Sequence, residues 1–154
     1  MRFPYSVNLV PSIDSGDEIV LLRPEIPLRV HGPNGAASVY ALVDSGADNC
    51  IFPLSMAELL GIAVTPGLGP AAMAFGGQRI GLSFADVEIE IIDEEGESLR
   101  WMARLYFTDL SQHAESAVIV GHEGFLDYFV ATFDGKECEL SLQPTDEIPT
   151  SLEG

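Results

Sequence analysis

The sequence places an acid at the end of an apolar strand. Residues 39–43 form a short apolar segment, as expected of a buried strand, and Asp44, Ser45 and Gly46 follow it directly. A carboxylate in that position is costly unless hydrogen bonds or a chemical task compensate for its desolvation. The three residues are also common turn formers, so an ordinary turn is the simplest alternative to a catalytic acid.

Two carboxylates that share one proton can hydrolyse an amide bond. Like charges at that separation cannot both ionise, so one group acts as a base and the other as an acid. A water molecule held between them is the nucleophile, and no covalent intermediate is needed. Gly46 would allow a tight turn with backbone N–H groups facing the Asp44 carboxylate, and Ser45 would fix the geometry of the pair by hydrogen bonding.

Three segments resemble one family in the right order. "ALVDSGAD" resembles the active-site motif of the retropepsin-like aspartic proteases, and "AVIVGHEGFLDYF" (residues 117–129) resembles their second signature. "IFPLSMAELLGI" resembles the segment after the first motif in bacterial members, and the whole resemblance covers roughly residues 25–142. It implies an aspartic endopeptidase of the bacterial, single-motif, homodimeric type.

The resemblance assigns roles to the first motif residue by residue. It implies that Asp44, Ser45 and Gly46 are catalytic, and that Ala47 and Asp48 contact the substrate. The acid at Asp48 would hold the substrate backbone or brace the site; a solvated turn acid is the alternative.

The glycine-rich segment "MAFGGQRI" resembles a flap that closes over substrate. Phe75, Gly76 and Gly77 would then contact the substrate. The alternative is that this segment is an ordinary surface hairpin. Gly121 is expected to let the second signature pack against the Asp44 loop. His122 stands where the family often has an arginine, which puts in doubt the ion pair made there.

One motif supplies one catalytic acid, and the reaction needs two. The other Asp-Ser-Gly, at residues 14–16, follows no good strand and has no apolar-Gly signature of its own, so it is predicted to be a hairpin turn. A two-fold homodimer would supply the second Asp44. The N-terminal apolar strands and the C-terminal hairpin are candidates for its interface.

The elements that must position these residues are predicted to be short strands. Apolar runs are separated by many of the 15 glycines and 10 prolines, and residues 84–92 and 99–107 alternate in polarity. Pro27 would confine residues 25–30 to an edge or a bulge. Asp134-Gly135 predicts a hairpin between strands over 130–133 and 137–142, and residues 54–60 predict a short helix. We therefore predict an all-β, retropepsin-like closed barrel with one or two short helices, as one domain over residues 1–143 followed by a flexible acidic tail over 144–154.

Composition excludes several partners. The chain has 154 residues and a net charge of −17, from 24 acids against 7 bases, so neither nucleic acid nor an anionic membrane is an expected partner. Its two cysteines, Cys50 and Cys138, form no redox or disulfide pattern, and Cys50 is predicted to be a small core residue. The N-terminus does not resemble a secretory signal and no apolar run could span a membrane, so a cytoplasmic location is expected.

Other motifs are weaker. "GLGPAA" lacks the strand and helix that a dinucleotide site requires, and no Gly-x-Ser-x-Gly elbow is present. His113, His122 and Glu123 are too scattered to predict a metal site, so neither metal nor cofactor is expected. The alternatives to a protease are a catalytically silent dimer of the same fold that binds a peptide or protein, and a purely structural or regulatory dimer. The intact Asp44-Ser45-Gly46 favours catalysis.

Overall fold

The computed structural model describes residues 1–69, 81–109 and 118–149 in full, and residues 72–73 and 79–80 by their backbone. One α-helix, α1 (Leu54–Leu60), follows the sixth strand, and a 3₁₀ turn (Leu126–Tyr128) precedes the thirteenth. The strands are β1 (Arg2–Pro4), β2 (Ser6–Pro11), β3 (Glu18–Arg23), β4 (Glu25–Gly32), β5 (Gly35–Val43), β6 (Ile51–Pro53), β7 (Thr65–Pro66), β8 (Ala72–Met73), β9 (Arg79–Ile80), β10 (Ser83–Ile92), β11 (Ser98–Thr108), β12 (Val118–Val120), β13 (Phe129–Asp134) and β14 (Glu139–Pro144).

Six strands close into a barrel. Their order is β11, β6, β12, β5, β4 and β10, and β10 pairs back onto β11 to complete the ring. The pairs β6–β11 and β5–β12 are parallel, and the others are antiparallel. The predicted fold class, an all-β closed barrel with one or two short helices, is confirmed.

The alternating polarity of β10 and β11 gives the barrel an apolar interior and a charged exterior. The inward residues of both strands are buried or nearly so, and the outward ones pair across the two strands. Arg104 forms an ion pair with Asp86 at 2.9 Å. The hydrogen bond from Arg104 holds the pKa of the Asp86 carboxyl below its usual value.

Trp101 joins the barrel wall to the segment after β12. The indole is fully buried, and its Nε1–H donates to the carbonyl of Gly124 at 2.9 Å. The ring centroid lies 5.6 Å from that of Phe125 and 5.5 Å from that of Phe129. These contacts fix the segment carrying the second signature against β11.

One local expectation needs correction. The strand containing Pro27 is central, since β4 pairs with both β5 and β10, but β10 pairs only with Leu28–His31 and so never needs a proline N–H. The hairpin predicted at Asp134-Gly135 is confirmed, and because Asp134 pairs with Glu139, four residues connect its strands. The Asp134 carboxylate caps this turn by accepting two backbone N–H bonds, and Cys138 takes a left-handed φ of 52°.

The segment after residue 143 contacts the 3₁₀ turn that precedes β13. The backbone N–H and the hydroxyl of Thr145 both donate to the carbonyl of Tyr128, at 2.9 and 3.1 Å, and Ile148 packs against the core. Thr145 and Ile148 thus contact the rest of the fold, 150–154 lie outside the described residues, and the flexible tail over 144–154 stays a prediction.

Replacing Trp101→Phe should lower the free energy of unfolding by about 1–3 kcal/mol, because the buried Gly124 carbonyl would lose its donor. Urea denaturation followed by circular dichroism measures this. Met102→Leu on the exposed face of the same strand is the control and should change stability by less than about 0.5 kcal/mol. Equal stabilities for the two variants would contradict the role given to the indole.

Candidate active site

Parallel pairing places Asp44 beside Gly121. Val43 and Val120 are paired as the last residues of β5 and β12, so the two chains leave the barrel side by side at the same edge. The bond from the Asp44 backbone N–H to the Val120 carbonyl, 3.0 Å long, continues the pairing one step beyond the strands. The first and second sequence signatures thus meet in space.

The Asp44 carboxylate is held at one oxygen. The Gly46 N–H donates to Oδ1 at 2.8 Å, and the Ala47 N–H donates to the Asp44 carbonyl at 3.2 Å. Asp44 is half-buried, while Ser45 and Gly46 are exposed. Gly46 does not have a positive φ, so the turn itself does not require glycine. A Cβ there would instead lie 3.2 Å from Oδ1, close to the carboxylate.

Gly121 allows the two loops to pack backbone against backbone. The N–H of His122 donates to the Ala47 carbonyl at 3.0 Å, and that of Glu123 donates to the Asp48 carbonyl at 2.9 Å. A Cβ on Gly121 would overlap the Ala47 carbonyl oxygen and lie 2.7 Å from that of Asn49. Only glycine fits this contact.

His122 contacts the Asp44 loop directly. Its Nε2 lies 2.7 Å from the Ser45 carbonyl oxygen, so Nε2 carries the proton and donates. Its Nδ1 lies 3.8 Å from a carboxylate oxygen of Asp127. The sequence had raised doubt about the interaction made here, and it did not predict a bond to Ser45. The position of His122 immediately after Gly121 was the available signal.

Glu123 links the loop to the barrel wall. Its carboxylate accepts from the side-chain amide of Asn49 at 2.6 Å and from the Tyr106 hydroxyl at 3.4 Å. Burial is the main cause that raises the pKa of Tyr106, and Glu123 adds to it. Sequence reasoning missed Asn49 and Tyr106 because neither belongs to a motif.

Cys50 is a core residue. Its side chain is fully buried, and its Sγ donates to the Glu123 carbonyl at 3.3 Å. Burial raises the pKa of Cys50 to about 12, so the thiol stays protonated near neutral pH and is a poor nucleophile.

The remaining predicted site residues are those expected to contact the substrate. Asp48 is exposed and Ala47 is half-buried, both in the Asp44 loop. Strands β8 and β9 pair antiparallel around the predicted flap tip, whereas Phe75, Gly76 and Gly77 lie outside the described residues.

The second Asp-Ser-Gly connects β2 to β3. Gly16 has a φ of 75°, and its N–H donates to the Ser12 carbonyl at 2.8 Å, as in a tight turn. The expectation that no strand precedes this motif is wrong, since β2 does. Its apolar residues are too few and too exposed to have been distinguished from a loop.

Neither a metal cluster nor a membrane helix is found in the part of the chain that the structure describes. No group of three His, Cys, Asp or Glu side chains there could hold a metal ion; His113 lies outside it. No helix within the same residues is long and apolar enough to cross a membrane.

Comparison with known proteins finds similarity in structure. No family model matches it, and neither does any curated protein. Among solved structures, it is similar to the EIAV protease complexed with the inhibitor HBY-793, at 18% sequence identity and a TM-score of 0.42. The match covers 65% of this chain and 82% of that one. A functional assignment therefore depends on this chain's own residues.

Substituting Gly121→Ala should destabilise the fold by about 1–3 kcal/mol, because the new methyl group must displace the Asp44 loop. Gly81→Ala is the matched control, since a Cβ at that glycine meets no atom within 4 Å. Thermal unfolding of the two variants measures the difference. A Gly121→Ala protein as stable as Gly81→Ala would show that the loops are not packed as described.

Proposed function

We propose that this chain is a retropepsin-like aspartic endopeptidase that acts as a homodimer. The observation that carries the proposal is the placement of Asp44, a half-buried residue, in a loop bonded to the Gly121 segment, with its carboxylate held through Oδ1. A turn acid without a task would not need a dedicated glycine contact and the several hydrogen bonds that join the two loops.

The geometry supports a definite role for each oxygen. The Gly46 N–H holds Oδ1 of Asp44, which leaves Oδ2 for a water molecule or for the Asp44 carboxyl of a second copy. In the pair, the ionised carboxyl takes a proton from water as the water attacks the peptide carbonyl, and the protonated one donates to the developing oxyanion. Collapse of the tetrahedral intermediate then breaks the C–N bond as the amine is protonated.

His122 acts through the loop and does not touch the reacting atoms. Its bond to the Ser45 carbonyl restrains the residue next to Asp44. Gly121 allows the same loop to pack closely through the carbonyls of Ala47 and Asn49. We assign His122 and Gly121 as positioning residues.

The substrate we propose is an extended peptide that lies between two copies. Main-chain hydrogen bonds would hold it, with side chains entering alternate pockets. Ala47 and Asp48 follow Asp44 in the same loop and would contact the peptide backbone, and the segment with Phe75, Gly76 and Gly77 would close over the peptide. Both cysteines are free, which agrees with the reducing cytoplasmic setting that we propose.

Asp44→Asn should reduce peptide hydrolysis by about 10²–10⁴-fold, because an amide neither accepts the proton from water nor shares one. Asp14→Asn is the matched control: it changes the same residue type in the other Asp-Ser-Gly and should leave turnover unchanged. Cleavage of a peptide library at mildly acidic pH measures both. A comparable loss in both variants would contradict the two-copy site. A wild-type protein that binds peptides without cleaving them would instead indicate a silent binding module.

Mixing wild-type protein with an excess of Asp44→Asn chains should suppress its activity, because each mixed dimer has only one ionisable Asp44. The specific activity of wild type alone should also fall on dilution through the dimer dissociation constant. Light scattering run beside the assay relates activity to assembly. Mixing with excess Asp14→Asn chains, the control, should not suppress activity. A protein that is fully active as a monomer would exclude the mechanism.

A further inference from the structure

The hairpin formed by β2 and β3 has exposed apolar side chains on both faces. Half of the large apolar side chains that are exposed among the described residues lie between residues 7 and 22. Leu9 and Val20, which are paired across the hairpin, are 63% and 58% exposed. In the part of the chain that the structure describes, the two strands form a sheet of their own. A lone two-stranded hairpin is marginally stable in water, so this one needs a partner.

The hydrogen-bonding pattern shows which backbone groups remain free. The Ser12 N–H donates to the Asp17 carbonyl at 2.7 Å, which makes these two residues a hydrogen-bonded pair. Because bonded and non-bonded pairs alternate along an antiparallel ladder, the N–H and C=O groups of Glu18, Val20 and Leu22 point away from β2. These groups form an open edge on β3.

The opposite edge of the hairpin is less suited to pairing. By the same alternation, the outward backbone groups of β2 belong to Val7, Leu9 and Pro11. Pro11 has no N–H to donate, and a proline is a common way to block an edge strand. Further pairing is therefore favoured at β3.

The sequence of the β3 edge is complementary to itself when reversed. An antiparallel copy centred on Val20 places Asp17 opposite Arg23 of the copy, and Ile19 opposite Leu21. Both are non-hydrogen-bonded pairs in the new ladder, where facing side chains are closest. The register satisfies two acid–base pairs and two apolar pairs at once, about a two-fold axis.

We propose that β3 is a self-association surface whose occupant is the β3 strand of a second copy, paired antiparallel about Val20. The product is a four-stranded sheet, β2–β3 continued by β3 and β2 of the second copy. The proposal does not depend on the proposed hydrolysis. About four residues of extended chain, roughly 14 Å, separate Val20 from Pro24. The Pro24 carbonyl accepts from Val43 beside the Asp44 loop. The β3 contact uses Asp17, Val20 and Arg23, none of which belongs to the Asp44 loop, so the two places can be substituted separately.

A disulfide test locates the axis. In a Cys138→Ser background, Val20→Cys should form an intermolecular disulfide with itself under mild oxidation, since paired strand residues across the axis lie about 5.5 Å apart. Leu9→Cys, equally exposed on the blocked edge, is the matched control and should give at least about tenfold less cross-linked dimer on a non-reducing gel. Equal yields from both variants would overturn the proposal.

A charge-reversal cycle tests the register. Asp17→Arg and Arg23→Asp should each weaken assembly about tenfold or more in sedimentation experiments, and the double variant should restore it. Asp14→Arg, a charge change outside the register, is the control. Combined with Arg23→Asp, it should leave assembly as weak as in Arg23→Asp alone. Additive losses in the double variant, or a wild-type chain that remains monomeric at every concentration, would overturn the β3 contact. Peptide cleavage, assayed in parallel, tests the proposed function separately.

Discussion

The candidate site depends on one pairing of two strands from distant parts of the chain. Because β5 and β12 run parallel and end together, the residues after them leave the barrel side by side. An antiparallel pairing would place Asp44 and Gly121 at opposite ends. The interloop hydrogen bonds, the close approach at Gly121 and the bond from His122 to Ser45 all depend on this arrangement.

The rest of the core supports that pairing from behind. Strand β12 has only three residues, too few to hold its position by ladder bonds alone, but all three are buried. The segment after it is anchored by Trp101 through Gly124 and by the aromatic cluster with Phe125 and Phe129. Glu123 and Cys50 add a second link to the Asp44 loop. Asp44 is thus positioned by its own loop, which packs on the segment after β12, and this segment is in turn anchored to β11 through Trp101.

Much of the barrel could be predicted because its strands obey simple rules. The alternation in β10 and β11 and the apolar run of β12 lie where the sequence indicated. The strand β2 could not be predicted in this way, since none of its residues is buried and its apolar Val7 and Leu9 lie on the exposed face. The hairpin at Asp134-Gly135 could be predicted, but the length of its turn could not, because the turn also contains the bonds from Lys136 and Glu137 to the Asp134 carboxylate.

The candidate site, too, could be predicted only in part. The juxtaposition of Asp44 with Gly121 was expected from two motifs, whereas the contacts of His122, Asn49 and Tyr106 depend on tertiary geometry that spacing does not encode. Gly46 shows the limit most directly. The residue was expected for its turn, but the observed constraint is the nearby carboxylate oxygen.

The pairing of β5 with β12 also has a consequence for the order of folding. It joins Ala41 to Val118, so a long stretch of chain must be closed before the pairing gains any stability. The hairpins β4–β5 and β10–β11 are local and lose much less entropy on loop closure. The ring should therefore close late, and a refolding chain should recover most of its strand content before the Asp44 loop acquires its final shape.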